Sequence, residues 1–424
     1  MRRRIIFGIY KASNKLKLAK FKTICIAGKN NIAVNAVMFL LNSGYPRKKI
    51  ISCINKTDDG KNSWQRSFKD FCLKTNIQIF DLVDLYRIPD LVFISLEFDQ
   101  IIKIENFLSK ELFNIHFSLL PKYKGMYTST IPILNNEIES GVTLHLIDNG
   151  IDTGDIIEQE KFPIINLTAI QIYHRYLDVG LILFQRNIFN LLNGNYYSTK
   201  QLAIDSSYYS KSSIDYANIR IDLNRTAHQI MRQIDAYSFR PYQLPNINGS
   251  DISFTKILSS CTNAKPGILL FEDDNKFVYS TIDYDIELYK DKIFEILHLC
   301  EIDGYQSLSN YLKYGYNIND FGHRGWTPLI VSVFNNSKKC IELLLRENAD
   351  VNAINFNGTT VLMYAMSAAL KSGDYSIMTL LIKQGAKLDT KDFSNKTIFD
   401  YALEHNAKEI IEYLNNILMN DSIS

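Results

Sequence analysis

The chain has little of what would mark a secreted, membrane-spanning or nucleic-acid-coating protein. Its six cysteines in 424 residues, Cys25, Cys53, Cys72, Cys261, Cys300 and Cys340, show neither C-x-x-C spacing nor Cys/His clustering. That argues against a zinc site and a disulfide scaffold, and it fits a reducing, cytoplasmic setting. No apolar run is long enough to span a bilayer, so no membrane partner is expected. A formal net charge of +2 argues against a broad basic surface that grips a phosphate backbone, so nucleic acid is not expected either. A G-x-G-x-x-G turn is missing as well: the first strand-like run, Thr23 to Gly28, continues as Lys29-Asn-Asn-Ile-Ala33. A dinucleotide cofactor thereby loses its main support.

What is present builds cores. Hydrophobic residues make up 46% of the chain, enough for two or three domains. Residues 1–20 carry Arg2, Arg3, Arg4, Lys11, Lys15, Lys17 and Lys20 and no acid. Their apolar piece, Ile5 to Tyr10, is too short for a secretory signal, so they read as a disordered or artefactual lead-in. From Phe21 onward, strand-like and helix-like segments alternate. Strands are expected at Thr23 to Gly28, Ile50 to Asn55, Ile77 to Phe80 and Leu91 to Ser95, and helices at Ala33 to Asn42, Ser63 to Lys74 and around Phe98 to Ile102. This order predicts a Rossmann-like, doubly wound α/β sheet with ligands at the carboxyl ends of its strands. A long helical pattern from Leu167 to Leu192, stopped by Gly194, closes this core over residues 21–205. Residues 206–290 read as a small β-rich domain, with a helix around Thr226 to Ile234 and a hairpin turning at Asp273-Asp-Asn275.

The C-terminal part, residues 291–424, repeats itself. Gly325-Trp-Thr-Pro-Leu329 is echoed by Gly358-Thr-Thr-Val-Leu362 at a 33-residue spacing, the period of ankyrin repeats. A third copy opens at Asn395-Lys-Thr-Ile398 after an insert near Lys371 to Tyr375, and a degenerate leading repeat spans Ile293 to Tyr316. About four units with atypical ends suffice for a free-standing stack.

The chemistry concentrates between Asn114 and Asp152. Asn114 and His116 sit two apart on a strand, so both side chains take the same face. Asp152 follows the strand-like run Val142 to Ile147, in a loop punctuated by Gly150 and Gly154. An amine attacking a formyl carbon needs hydrogen-bond donors for the oxyanion and a base for the nitrogen's proton. Asn114 and His116 offer the donors, and Asp152 accepts the proton or stabilises a charged His116. His145, inside the apolar run, reads as a packed or supporting histidine.

The strings N-x-H-x-S-L-L-P and G-V-T-L-H…G-x-D-x-G resemble the core of 10-formyltetrahydrofolate-dependent formyltransferases across about Thr23 to Leu192. That resemblance implies catalytic roles for Asn114, His116 and Asp152. It also implies folate binding, mostly through backbone groups, by Phe93, Ser95, Leu96 and Glu97 and by Asp148, Gly150 and Ile151. The stretches Asn55 to Gln65 and Phe239 to Pro245 are similar to those of sugar-nucleotide N-formyltransferases. The ankyrin fusion resembles the branch acting on dTDP-3-amino-3,6-dideoxyglucose, which would feed O-antigen or other surface polysaccharide. Under this reading Trp64 and Tyr242 meet the sugar nucleotide and Lys124 and Arg240 its diphosphate. A 4-amino or UDP-linked sugar, and an ankyrin adaptor with an inactive core, stand as alternatives. The repeats are expected to bind a protein partner, or, through Trp326, a second nucleotide sugar. The hairpin near Leu269 to Thr281 offers edge strands for a homodimer, as in the family.

Overall fold

The computed structural model describes residues 21–421; the expected lead-in, residues 1–20, lies outside the described residues. The described residues divide into two compact units, 21–61 with 67–215, and 62–66 with 216–421.

The first unit is built on a sheet of seven strands. They are β1 (Thr23–Gly28), β2 (Ile50–Ile54), β3 (Gln78–Ile79), β4 (Leu91–Leu96), β5 (Glu111–His116), β6 (Glu139–Leu146) and β7 (Ile156–Pro163). Their spatial order is β3-β2-β1-β4-β5-β6-β7. The first five run parallel, and β6 and β7 are antiparallel additions. The order reverses between β1 and β4, so the crevice for a ligand opens there and along the neighbouring strand ends. Helices α1 (Asn30–Asn42) and α3 (Ala169–Leu192) pack together on one face, with Phe39 edge-on to Phe184. Gly180 admits the close approach, because a Cβ there would press on Ile32, Phe117 and Ile115. Cys25, Ala27, Ile51, Phe93 and Leu112 form a core cluster on the sheet. By strand alternation Asn114 and His116 share the face of Leu112.

Two local expectations move. The helix expected from Ser63 begins at Phe68, α2 (Phe68–Thr75), because the Ser67 hydroxyl caps it by accepting from Asp70 N–H at 2.9 Å. No helix forms at 98–102. Phe98 and Ile102 both pack on the core cluster, and their four-residue spacing imitates a helix in a segment of irregular backbone.

The second unit opens with α4 (Ala227–Tyr237), whose Thr226 and Gln229 form a reciprocal capping box. This helix lies on a five-stranded sheet of β8 (Asn246–Ile247), β9 (Ser250–Ile257), β10 (Leu269–Glu272), β11 (Lys276–Tyr279) and β12 (Ile286–Lys290), in the order β8-β9-β12-β11-β10. Helix pairs follow: Ile293–Glu301 with Tyr305–Tyr314, Pro328–Phe334 with Lys338–Arg346, Val361–Ser372 with Ser376–Lys383, and Ile398–Glu404 with Lys408–Asp421. Three repeats share one local device. Thr327, Thr360 and Thr397 each cap a helix by accepting from the N–H three residues on. Two residues before each threonine, Gly325, Gly358 and Asn395 hold a left-handed backbone. The insert lengthens the helix Val361–Ser372 before Gly373 ends it with a φ of 69°. Phe254 stacks on Tyr289, and Tyr316 meets Phe254 edge-on, so sheet and repeats share one hydrophobic cluster.

Gly358 joins a positive φ to a tight neighbour, since a Cβ there would stand 2.7 Å from the Phe393 ring. Gly358→Ala should cost about 1–2 kcal/mol from the left-handed backbone alone, with the clash added. Thermal unfolding should show a lowered Tm; an unchanged Tm would contradict this account of the repeat.

Candidate active site

Sheet register assembles the site. Asn114 on β5 stands opposite His145 on β6, and His116 stands opposite Thr143. The loop after β6 then folds back and brings Asp152 over both. Asp152 takes a φ of 54°, and Gly154 makes the return possible, because a Cβ on it would lie 1.8 Å from the Leu146 carbonyl. Asp148 closes the loop by accepting from Gly150 N–H at 3.0 Å and Thr153 Oγ1 at 2.6 Å.

Asp152 is the hub. Its Oδ1 accepts from Asn114 Nδ2 at 3.1 Å, and its Oδ2 accepts from Gly125 N–H at 2.9 Å and lies 3.5 Å from His116 Nδ1. The other amide hydrogen of Asn114 meets His145 Nε2 at 3.1 Å. His145 is 2% exposed, and its Nδ1 donates to the Leu146 carbonyl at 2.7 Å. His116 Nε2 lies 2.8 Å from the Tyr123 carbonyl. A carbonyl only accepts, so Nε2 carries the proton, and in the neutral ring Nδ1 turns a bare lone pair toward Asp152.

Burial lowers the His116 pKa, against an opposing pull from Asp152 and the Tyr123 carbonyl. His116 is therefore neutral near pH 7. Burial pushes the Asp152 pKa up, but the imidazoles of His116 and His145 and the Gly125 N–H outweigh it and hold the carboxyl well below its usual range. Gly125 N–H and Asn114 Nδ2 donate to the carboxylate whatever charge the imidazoles carry. An ionised carboxylate against a bare imidazole nitrogen is a place built for one proton. Both amide hydrogens of Asn114 are committed here, so an incoming formyl oxygen must draw one of them from His145 or Asp152.

The residues expected around folate separate into two groups. Phe93 is fully buried in the core, and Ser95 and Leu96 are buried too. Their strand is paired on both sides, with β1 and with β5. Phe93, Ser95 and Leu96 therefore correct to core and ladder positions, with their backbone already spent in the sheet. Glu97, just past β4, stands at the crevice with a φ of 59°. Burial raises its pKa, against Lys29, Tyr173 and Asn30. Its carboxyl accepts from Tyr173 Oη at 2.8 Å and from Asn30 Nδ2 at 3.3 Å. Across the site, Ile151 is 42% exposed. Among the described residues no hydrogen bond takes the N–H of Ile151 or Asp152. An apolar side chain beside unspent amides fits a flat heterocycle bearing acceptor atoms.

The expected substrate residues fall in both units. Lys124 donates to Ser206 Oγ at 3.1 Å in the first unit. In the second unit Trp64 stands edge-on to Tyr242 and Phe239, at 5.5 and 5.7 Å between ring centres. Arg240 does not extend a bare charge: it pairs with Asp291 at 2.7 Å and Asp320 at 3.1 Å, so it corrects to a structural ion pair. Trp326 is half-buried between Phe334 and Tyr364. Gly125, Tyr123 and Gln201, whose amide donates to the Asp152 and Gly154 carbonyls, were missed in the sequence. Only Gly125 left a signal there, as the glycine closing P-K-Y-K-G.

Residues 89–188 match the formyl transferase family model, and residues 297–392 match a model of three ankyrin repeats. A crystal structure of WlaRD, described as a sugar 3N-formyltransferase with dTDP and 5-N-formyl-THF, is 48% identical. It covers 64% of this chain and 98% of its own, with a TM-score of 0.59. The N-formyltransferase from Helicobacter canadensis, in complex with folinic acid and dTDP-3-aminofucose, is 44% identical over 64% of this chain and 100% of its own, with a TM-score of 0.60. A methionyl-tRNA formyltransferase of Clostridium acetobutylicum is 26% identical over 245 residues, 54% of this chain and 79% of its own. The chain thus belongs to the formyltransferases. Within that class it belongs to the sugar N-formyltransferases, and it carries ankyrin repeats.

Asp152→Asn keeps the shape and removes the charge that stabilises a protonated His116, so kcat should fall about 100-fold or more; a loss under threefold in a steady-state assay would contradict the role. Because burial depresses the His116 pKa and Asp152 is held ionised, the active proton state persists as pH falls. The acidic limb of kcat/KM should lie below the ordinary histidine value of about 6.5; a limb above 7 would overturn the assignment.

Proposed function

We propose that the enzyme transfers the formyl group of 10-formyltetrahydrofolate to the amine of a dTDP-linked 3-amino-3,6-dideoxyhexose, with dTDP-3-amino-3,6-dideoxy-D-glucose as the best substrate. The product would enter O-antigen or other surface polysaccharide. The observation that carries this reading is the Asn114–His116–Asp152 cluster in a chain 48% identical, over nearly all of its partner, to a sugar 3N-formyltransferase. The donor supplies an electrophilic formyl carbon. Asn114 donates to the oxygen on which charge develops, a contribution of about 3 kcal/mol. His116 receives the amine's proton at Nδ1, Asp152 stabilises the imidazolium that results, and the proton passes on to N10 of the departing tetrahydrofolate as the formyl C–N10 bond breaks.

Glu97 and the loop Asp148, Gly150 and Ile151 hold the folate. Trp64 and Tyr242 offer aromatic faces to the nucleotide base, and Lys124 a cation to the diphosphate. The exposed Leu269 and Phe271 on edge strand β10 support pairing in a homodimer. The repeats serve a protein partner on their concave face. A second reading, a nucleotide-sugar site at Trp326, is favoured by its aromatic patch with the half-exposed Phe334.

A panel of dTDP- and UDP-linked 3-amino and 4-amino sugars, assayed with the folate donor, tests the reading. The highest kcat/KM should fall on a dTDP-3-amino sugar; preference for a 4-amino or UDP sugar would displace it, and no transfer to any would favour the adaptor. Trp326→Ala should leave the fold intact and alter nucleotide-sugar stoichiometry; unchanged stoichiometry and rate would leave the protein-partner reading.

A further inference from the structure

Beside the reacting residues lies a cavity of about 540 Å³, lined among others by Leu119, Tyr123, Ile156, Gln201, Leu202 and Ile204. Its size suits a small ligand. Gln159 on its wall pairs in register with Thr143, which stands opposite His116, so cavity and site share one face of the sheet. Two cavity residues are direct supports of the catalytic pair. Tyr123 gives its carbonyl to His116 Nε2 at 2.8 Å. Gln201 Nε2 donates to the Asp152 carbonyl at 2.9 Å and to the Gly154 carbonyl at 2.8 Å.

Those two contacts fix the Gln201 amide. Both partners are carbonyls, so the nitrogen must face the loop and Oε1 must turn away from it. Oε1 is buried and has no hydrogen-bond partner. Buried acceptors are almost always satisfied, and an orphan calls for a donor that the chain does not supply. Apolar surface predominates on the walls, although Lys122, Glu137, Glu139, Lys200 and Asp205 are among the lining residues. Among those charges Lys122 pairs with Glu137 at 3.5 Å, Glu139 pairs with Lys161 at 3.2 Å, and Lys200 and Asp205 are exposed and of opposite sign, so a ligand here needs no net charge. Leu202 and Ile204 are 70% and 71% exposed, leaving their side chains free to move aside.

We propose that this cavity is a regulatory site for a small, mostly apolar molecule bearing a single N–H or O–H donor, which engages Gln201 and so sets the position of the Asp152 loop. The regulatory part rests on the catalytic reading of Asp152; the binding part does not. Indole, an apolar body with one N–H, serves as the probe. Binding to the full chain is followed by saturation-transfer NMR and thermal shift, and kcat and KM for both substrates are measured with and without it.

Wild-type protein should bind indole saturably, with kcat changed at least twofold and both KM values held within twofold. Leu202→Trp fills the cavity and should weaken indole binding tenfold or more while leaving basal kcat within twofold. Gln201→Leu should lower kcat about tenfold with little change in KM, and indole should no longer alter the rate. Absence of saturable binding, binding untouched by Leu202→Trp, or a rate response that survives Gln201→Leu would each overturn the proposal. Indole binding by a protein that transfers no formyl group would sink the functional reading and uphold the binding site.

Discussion

The site depends on one held carboxylate. Asp152 sits on a loop that returns to the sheet through a left-handed residue, and Gly125 N–H, Asn114 and His116 converge on its two oxygens. Take away that convergence and Asn114 and His116 are two polar residues at a strand end. With it, a buried negative charge faces a bare imidazole nitrogen, an arrangement whose natural resolution is the arrival of a proton. The hold on the loop is itself layered: Asp148 closes it from within, and Gln201 fastens it from outside.

That dependence explains why the fold and the site were unequally legible. The parallel sheet, the long helix Ala169–Leu192 and the ankyrin repeats follow from periodicity and from local devices such as the repeated threonine caps, and these are written in short stretches of chain. Asn114, His116 and Asp152 were legible because two share a strand face and the third lies in a glycine-marked loop. Gln201 carries no local mark, since its meaning arises only when a segment beyond α3 returns to the loop. Phe93 and Ser95 misled for a related reason. They belong to a string resembling a binding motif, but a central strand paired on both sides has no backbone groups left to give. Phe98 and Ile102 imitated a helix because two side chains four apart can face one core without helical backbone.

The second unit obeys a different logic. Its small sheet and its repeats meet through the stacked Phe254 and Tyr289, so the repeats grow from the sheet's own aromatic edge. Arg240, which as a lone cation suggested a phosphate partner, spends its charge on Asp291 and Asp320 within that unit. A cation read from sequence is a binding residue only when no carboxylate has reached it first.

The claim on which the chemistry rests is the proton state of one ring. Nitrogen-15 NMR of histidine-labelled enzyme, with His116 assigned by a His116→Gln variant, reads it directly. The account predicts a neutral His116 at pH 7, protonated at Nε2 and bare at Nδ1; an imidazolium at pH 7, or a proton on Nδ1 of the neutral ring, would contradict it.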